Sequence, residues 1–229
     1  MVHMADHPSG ELNNTSNAGI YPGIILSVSA PSGTGKTSLV NALLARHQDI
    51  HISISHTTRP IRPNEEAGKH YHFVSREEFE ALIHSNNFLE HAHVFDHLYG
   101  TSVEAVLNPM AQGKDVLLDI DWQGAASAKR LFPENAVSVF LLPPSREVLE
   151  SRLRGRGQDS EAVIARRISA ADEELLHSID YDYVIVNDNF NHALQELEAI
   201  LLAERCRWKR QHFRHQEVFN KLGLSLRRS

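Results

Sequence analysis

The residues from Ile24 to Val40 limit the folds open to this chain more than any other stretch. Ile24-Ile25-Leu26-Ser27-Val28-Ser29 is a short apolar run of the kind found in buried strands. It is followed by the small, turn-prone loop Ala30-Pro31-Ser32-Gly33-Thr34-Gly35-Lys36-Thr37 and then by helix formers from Ser38-Leu39-Val40 onward. Strand, tight loop and helix in that order is the setting in which the pattern G-x-x-x-x-G-K-[ST] turns backbone N–H groups inward around phosphate. Gly33 and Gly35 can adopt positive φ at little cost. Lys36 brings a cation within reach of a β- or γ-phosphate, and Thr37 offers a hydroxyl to a magnesium ion. The first position of the pattern is Ala30 rather than glycine. Alanine is small but avoids the left-handed region, so Ala30 is expected to keep ordinary negative φ. The competing reading is a glycine and serine turn that binds nothing, and the strand before it and the helix after it argue against that.

A chain of 229 residues can bury one large core with small attached lobes. Its net charge of -6 argues against a dedicated nucleic-acid binder. The one cysteine, Cys206, excludes an internal disulfide and fits a reducing compartment. No apolar run approaches the ~20 residues that cross a bilayer, and no basic-then-apolar leader opens the chain, so a cytoplasmic protein with no membrane partner is expected.

Residues 1–22 are rich in Asn, Ser, Gly, His and Pro without apolar periodicity and are expected to be a disordered tail. Ile50 to Ser55 alternates apolar and polar and predicts a half-buried strand. His56 to His70 reads as a polar connection, in which Pro60 and Pro63 exclude regular helix and central strand. Tyr71 to Val74 predicts a strand, Glu77 to His84 a helix capped by Ser75, and Phe88 to Phe95 another alternating strand. Tyr99-Gly100-Thr101 reads as a turn into a helix starting near Ser102, which Pro109 is expected to kink or end. Together these strands suggest a small mixed or antiparallel lobe inserted in an α/β unit.

Asp115 to Asp121 predicts an apolar strand with Asp119 and Asp121 at its carboxyl end, where open α/β sheets form their sites. A helix (Gln123 to Leu131), strand (Ala136 to Leu142), helix (Arg146 to Leu153), amphipathic helix (Ser160 to Ser178) and strand (Tyr183 to Val186) follow. The last core helix is expected from Phe190 to about Lys209, with Leu194, Leu197, Leu201 and Trp208 inward. Arg152, Arg154 and Arg156, with Gly155 and Gly157, read as a mobile basic loop. The fold class expected is therefore α/β, a P-loop NTPase-type, mostly parallel sheet covered by helices on both faces, with the inserted β lobe and a helical lid.

A phosphate loop alone specifies phosphate and not a reaction. Arg59, Arg62, Tyr71 and Tyr99 lie beyond the sheet edge and can all donate to phosphate oxygens, which makes a second anion site. Two phosphate sites imply phosphoryl transfer. Guanine presents N1–H and an exocyclic amino group side by side, so Glu90 or Asp121 can accept both, whereas adenine places a bare acceptor there. Ser55 and Thr101 supply hydroxyls for guanine O6.

Several ordered motifs carry a resemblance to a known family. They are Ser29-Ala-Pro-Ser-Gly-Thr-Gly-Lys-Thr37, Ser55-His-Thr-Thr-Arg-Pro-Ile-Arg62, Tyr99-Gly-Thr101, Leu118-Asp-Ile-Asp-Trp-Gln-Gly124, Arg152-Leu-Arg-Gly-Arg-Gly157 and Val186-Asn-Asp188. Together they resemble guanylate kinases of the bacterial type, from about Ile24 to Arg210. The resemblance implies transfer of the ATP γ-phosphoryl to GMP, and also to dGMP. It implies a domain over 23–211 with a core (23–54, 99–150, 180–211), a monophosphate-binding lobe (55–98) and a lid (151–179), followed by an extension over 212–229. By motif position, Ser55, Glu90, Thr101 and Asp121 hold guanine, and Arg59, Arg62, Tyr71 and Tyr99 hold the GMP phosphate. Ala30 to Ser38 and Asn187 serve ATP, with Pro31, Ser32, Gly33, Thr34 and Gly35 forming the loop proper. Lys36, Arg152, Arg156 and Arg167 act on the transferring group. Thr37 and Asp119 hold Mg2+, partly through water, and no organic cofactor is implied. Asn64 departs from the expected glycine after Arg-Pro, and asparagine tolerates the same turn.

Some features carry blander readings. His91, His93 and His97 could hold a metal, but a strand face beside an acidic pocket explains them. The run Arg205, Arg207, Lys209, Arg210 and Arg214 reads as a solvated helix face rather than a nucleic-acid contact. Cys206 reads as packing, and Glu173 and Glu174 as helix surface. Phe213, Val218, Phe219, Leu222 and Leu224 either cap the core or form a subunit contact in a homo-oligomer. Two other functions compete with GMP phosphorylation: a kinase for another monophosphate such as AMP, and a non-catalytic peptide-binding module. The second would be expected to have lost Lys36, Thr37, Asp119 and the lid arginines, which all stand here.

Overall fold

A computed structural model describes residues 23–63, 65–94, 96–155 and 160–225. Asn64, Arg156 and Gly157 lie outside the described residues, as does the tail over 1–22. The central sheet is built from β1 (Ile25–Ser29), β2 (Ile50–Ile52), β7 (Asp115–Asp119), β8 (Ala136–Leu142) and β9 (Tyr183–Val186). Its strand order is β2-β7-β1-β8-β9 and every pairing is parallel. Every residue of β1 is buried, because successive side chains enter two different cores. Ile24, Leu26 and Val28 pack with Leu39, Val40 and Leu43 of α1 (Lys36–Arg46) and Leu194, Leu197 and Leu201 of α7 (Phe190–Arg205). On the opposite face Ile25 packs with Val106 and Met110 of α3 (Val103–Ala111) and Ala125 and Ala128 of α4 (Trp122–Leu131). Sequence and structure agree on a parallel sheet covered on both sides.

The inserted lobe is a four-stranded sheet of order β4-β3-β6-β5, formed by β3 (His56–Thr57), β4 (His72–Phe73), β5 (Phe88–Val94) and β6 (His97–Ser102). It is mixed: β3 runs parallel to β4 and antiparallel to β6. Two expectations are corrected here. His56-Thr57 begins a strand rather than a loop, since both prolines come after it. Tyr99-Gly100-Thr101 is strand rather than turn, paired with β5. The expected strand from Ile50 stops at Ile52, where the chain leaves one sheet for the other. Helix α2 (Arg76–His84) begins as expected at Ser75, in a reciprocal capping box with Glu78. Phe79 of α2 is fully buried against Phe88, their rings 4.5 Å apart. Pro109 lies in the last turn of α3, which ends two residues later at Ala111 before Gly113 adopts φ of 77°.

The stretch expected to form a lid contains the end of α5 (Arg146–Arg154), α6 (Glu161–Leu176) and a 3-10 turn, His177–Asp180. Arg152 and Arg154 lie on α5 and not in a loop. Leu149 and Leu153 of α5 pack on Ala171 of α6.

The C-terminal segment departs furthest from expectation. Helix α7 ends at Arg205, and Trp208, half-exposed, begins a separate α8 (Trp208–Arg214), followed by α9 (Gln216–Lys221). Only part of the cationic run is the solvated face expected: Arg207 and Lys209 are exposed, whereas Arg205, Arg210 and Arg214 turn to buried carboxylates. Arg205 Nε donates to Asp115 Oδ2 at 2.6 Å and Arg214 to Asp115 Oδ1 at 3.2 Å, on a carboxylate that is 1% exposed and also accepts from Ile24 N. Buried Arg210 pairs with Glu204 at 2.6 Å, and Tyr183 donates to the other Glu204 oxygen at 2.8 Å. These pairs fasten the last helices beneath the amino-terminal ends of β1 and β7. Cys206 is exposed rather than packed. Phe219 joins a ring cluster with Trp208 and His212, whereas Val218 and Leu222 face solvent. No described helix is long and apolar enough to cross a membrane.

Candidate active site

The loop after β1 has the conformation its residues allow. Gly33 and Gly35 take φ of 93° and 98°, and Ala30 is not among the positive-φ residues. A Cβ at Gly35 would stand 2.8 Å from Asn187 Nδ2, so glycine is required there twice over. Asn187 Nδ2 donates to Thr34 O at 2.7 Å. Arg152 bridges Thr34 O (3.3 Å) and Asn187 O (3.2 Å). Both residues thus clasp the loop through its backbone. Pro31, Gly33 and Thr34 are buried, while Ser32, Thr37 and Ser38 are exposed at the mouth of α1.

Lys36, the first residue of α1, reaches back across the sheet edge. Its Nζ lies 2.5 Å from Asp119 Oδ1 and 3.2 Å from Ile120 O, so loop and strand end share one ion pair. A cavity of about 210 Å³ opens beside it, lined by Lys36, Ser55, Tyr71, Glu90, Ala92, Tyr99, Asp119, Ile120 and Asp121. A second, of about 500 Å³, adjoins it and is lined among others by Thr37, Ser55, Arg59, Arg62, Tyr71, Tyr99 and Asp119.

The acidic wall of the first cavity comes from two elements. Glu90 points inward from β5 and is 8% exposed. Burial pushes its carboxyl up to about 7, with the charge of Asp121 adding to the shift and hydrogen bonds from Thr101 opposing it. Asp121 caps α4, its Oδ1 accepting from Gly124 N at 2.9 Å. Ser55 and Thr101, on facing strand ends, share a hydroxyl contact of 3.3 Å. His91 and His93 are on the exposed side of β5, away from this wall, and no cluster of metal-binding residues occurs among the described residues.

The cationic wall is set by Arg59, which is 8% exposed and gripped by Glu65 through two bonds of 2.8 and 3.0 Å. These bonds hold the Glu65 carboxyl below its usual range. The guanidinium also lies 5.5 Å over the ring of Tyr71, whose phenol burial raises to about 12. Arg62 is exposed, and its backbone N–H donates to Glu65. Half-buried Arg167 is carried by α6, and Arg156 is outside the described residues.

Two residues of the site escaped the sequence reading. Glu65 looked like one more polar loop residue. Glu174, read as helix surface, is half-buried, and its carboxyl is raised to about 7 by burial, within the electrostatic reach of Lys36 and Asp121. A signal existed: 167, 171 and 174 fall on one stripe of α6, with Ala171 buried between Arg167 and Glu174.

A glycine-rich loop at a helix start, a cationic wall and an acidic cavity meet along one sheet edge. Fold and site together define a P-loop NTPase-type protein. The family model for guanylate kinase matches residues 23–204. Relatives named guanylate kinase include one from Pseudoalteromonas translucida, 51% identical over 87% of this chain and 97% of its own. Another, from Paraburkholderia xenovorans, is 48% identical over 97% of this chain and 99% of its own. The crystal structure of guanylate kinase from Anaplasma phagocytophilum superposes with a TM-score of 0.72 at 34% identity, covering 90% of this chain and 98% of that one. The chain belongs to the guanylate kinase family.

Proposed function

We propose that this protein transfers the γ-phosphoryl group of ATP to GMP, giving ADP and GDP, and that it does so in the cytoplasm. The observation that carries this reading is the single cavity joining Glu90, Asp121 and Ser55 to Lys36 and Asp119. The two carboxylates suit the adjacent N–H donors of guanine, and the Ser55–Thr101 hydroxyl pair suits O6. Arg59, Arg62, Tyr71 and Tyr99 suit the acceptor phosphate, with the Arg59 guanidinium held by Glu65 from behind. Deoxy-GMP is expected to serve as well, since the residues assigned here answer to base and phosphate.

Thr37 and Asp119 line one cavity with oxygen donors only, which fits a hard cation such as Mg2+ that keeps water and phosphate among its ligands. Bound there with ATP, Mg2+ would offset charge on the phosphates. Lys36 leaves its pair with Asp119 for the β- and γ-phosphates. Ala30 to Ser38 supply backbone N–H groups, while Arg152 and Asn187 keep the loop in shape. Arg156 and Arg167 neutralise the transferring group when the lid closes and excludes water. No covalent intermediate is needed, because alignment and positive charge around the equatorial oxygens lower the barrier. A coupled assay of ADP release with ATP and each of GMP, dGMP, AMP and UMP tests the reading. Turnover with GMP and dGMP is expected, and equal turnover with AMP overturns the assignment of the base pocket.

A further inference from the structure

Trp122 follows Asp121 directly, as the first residue of α4, and His177 opens the 3-10 turn that ends α6. Their rings lie 3.6 Å apart and 10° from parallel, a full face-to-face stack. On either side of His177 the chain is in solvent: Leu176 is 76% exposed and Ile179 is 87% exposed. His177 is therefore the point at which this turn grips the core, with Asp180 3.7 Å from its ring nitrogen. One turn back on the same helix stands Glu174, facing Lys36 and Asp121, and two turns before that stands Arg167. The stack thus joins the residue next to a pocket carboxylate to the helix that carries the lid cation.

We propose that His177 is a positioning residue which, through its stack on Trp122, couples what Asp121 holds to the position of α6, so that acceptor binding and lid closure over the donor reinforce one another. This rests on the proposed GMP and ATP sites. The Asp121 carboxylate is tied to the first turn of α4 by its bond from Gly124 N, so a displacement toward a base that keeps this bond carries that turn, and Trp122 with it. A flat stacked partner follows that shift or resists it, and α6 moves as one rigid helix. Two ligands linked in this way raise each other's affinity by the same factor.

The test measures that factor on the full chain. The GMP dissociation constant is determined calorimetrically with and without Mg2+ and a β,γ-imido analogue of ATP. In the wild type the ratio is expected to be about twofold to tenfold, the range an aromatic pair can supply. His177→Ala is expected to bring the ratio to about one while changing GMP affinity without the analogue by less than about twofold. His177→Phe, which keeps a ring on Trp122, restores the ratio, and a purely structural role would not separate these two variants. In a Trp208→Phe background Trp122 is the remaining indole, and its emission reports whether each variant is folded and stacked. An unchanged ratio in His177→Ala overturns the proposal, as does a wild-type ratio of one in a protein that phosphorylates GMP. A wild type that neither binds nor phosphorylates GMP overturns instead the function on which the coupling rests.

Discussion

Gly124 faces the Glu90 carboxylate so closely that a Cβ at this position would stand 3.1 Å from it, and equally close to Ile120 Cβ. The first turn of α4 therefore serves two ends, capping itself with Asp121 and leaving room for the buried acid of β5. Gly124→Ala gains about 1 kcal/mol of helix propensity and moves Glu90 by a few tenths of an ångström. The expected outcome is a GMP KM raised roughly tenfold with an ATP KM within about twofold of wild type. Steady-state kinetics with each substrate varied in turn checks this, and parallel rises in both constants would contradict it.

Glu90 makes binding and stability respond to pH in opposite directions. Its folded value of about 7 lies above the ordinary 4.5, so the folded state holds its proton more tightly than the unfolded chain does. Stability from this group is complete below pH 4.5 and is lost as pH rises through about 7, a cost of about 3 kcal/mol by pH 8. Urea unfolding should find Glu90→Gln more stable than wild type at pH 8 and equal to it at pH 4. Accepting from guanine needs the ionised form, so wild-type GMP KM is expected to fall as pH rises through about 7. GMP's own second phosphate ionisation near pH 6 cancels when wild type is compared with Glu90→Gln, whose KM should lack the Glu90 step.

Lys36 separates folding from turnover. Its stem packs at the loop and its charge meets Asp119, half-exposed, so Lys36→Met is expected to keep the fold and a melting temperature within a few degrees. Turnover at saturating substrates is expected to fall by about 100-fold or more. Unchanged turnover would remove Lys36 from the reaction.

Arg210 should matter to stability and not to chemistry. It is 3% exposed and shares Glu204 with Tyr183 and Arg207, while its second nitrogen reaches Glu134 O. Arg210→Ala is expected to cost about 3 kcal/mol and to lower the melting temperature by roughly 10 °C, with kcat at 20 °C close to wild type. A thermal scan paired with an activity assay checks both halves.

Local signals explain what was legible. β8 and β9 fall where predicted because short apolar runs bounded by turns leave few alternatives, and α2 because Ser75 and Glu78 mark its start within four residues. Lys36, Asp119, Asp121, Glu90, Ser55 and Tyr99 come together because each sits at a strand end or loop that the alternation of elements carries to one edge. The failures have one physical character. His56-Thr57 is a strand only because His72-Phe73 and Tyr99-Gly100 flank it, partners many residues away. Arg205 and Arg214 look like solvated cations until Asp115, some ninety positions earlier, is folded beneath them. Glu174 becomes part of the site only when α6 is laid over Lys36. The stripe of 167, 171 and 174 marks a face of α6 that turns inward, but periodicity does not say which distant charge a side chain will meet.

The bonds around Asp115 tie distant parts of the chain into one cooperative unit. Ile24 N, Arg205 and Arg214 all meet on the same buried carboxylate. Removing the residues from 205 onward is expected to leave that anion buried without a counter-charge, so the shortened protein should be cut by proteases under conditions in which the full sequence resists them.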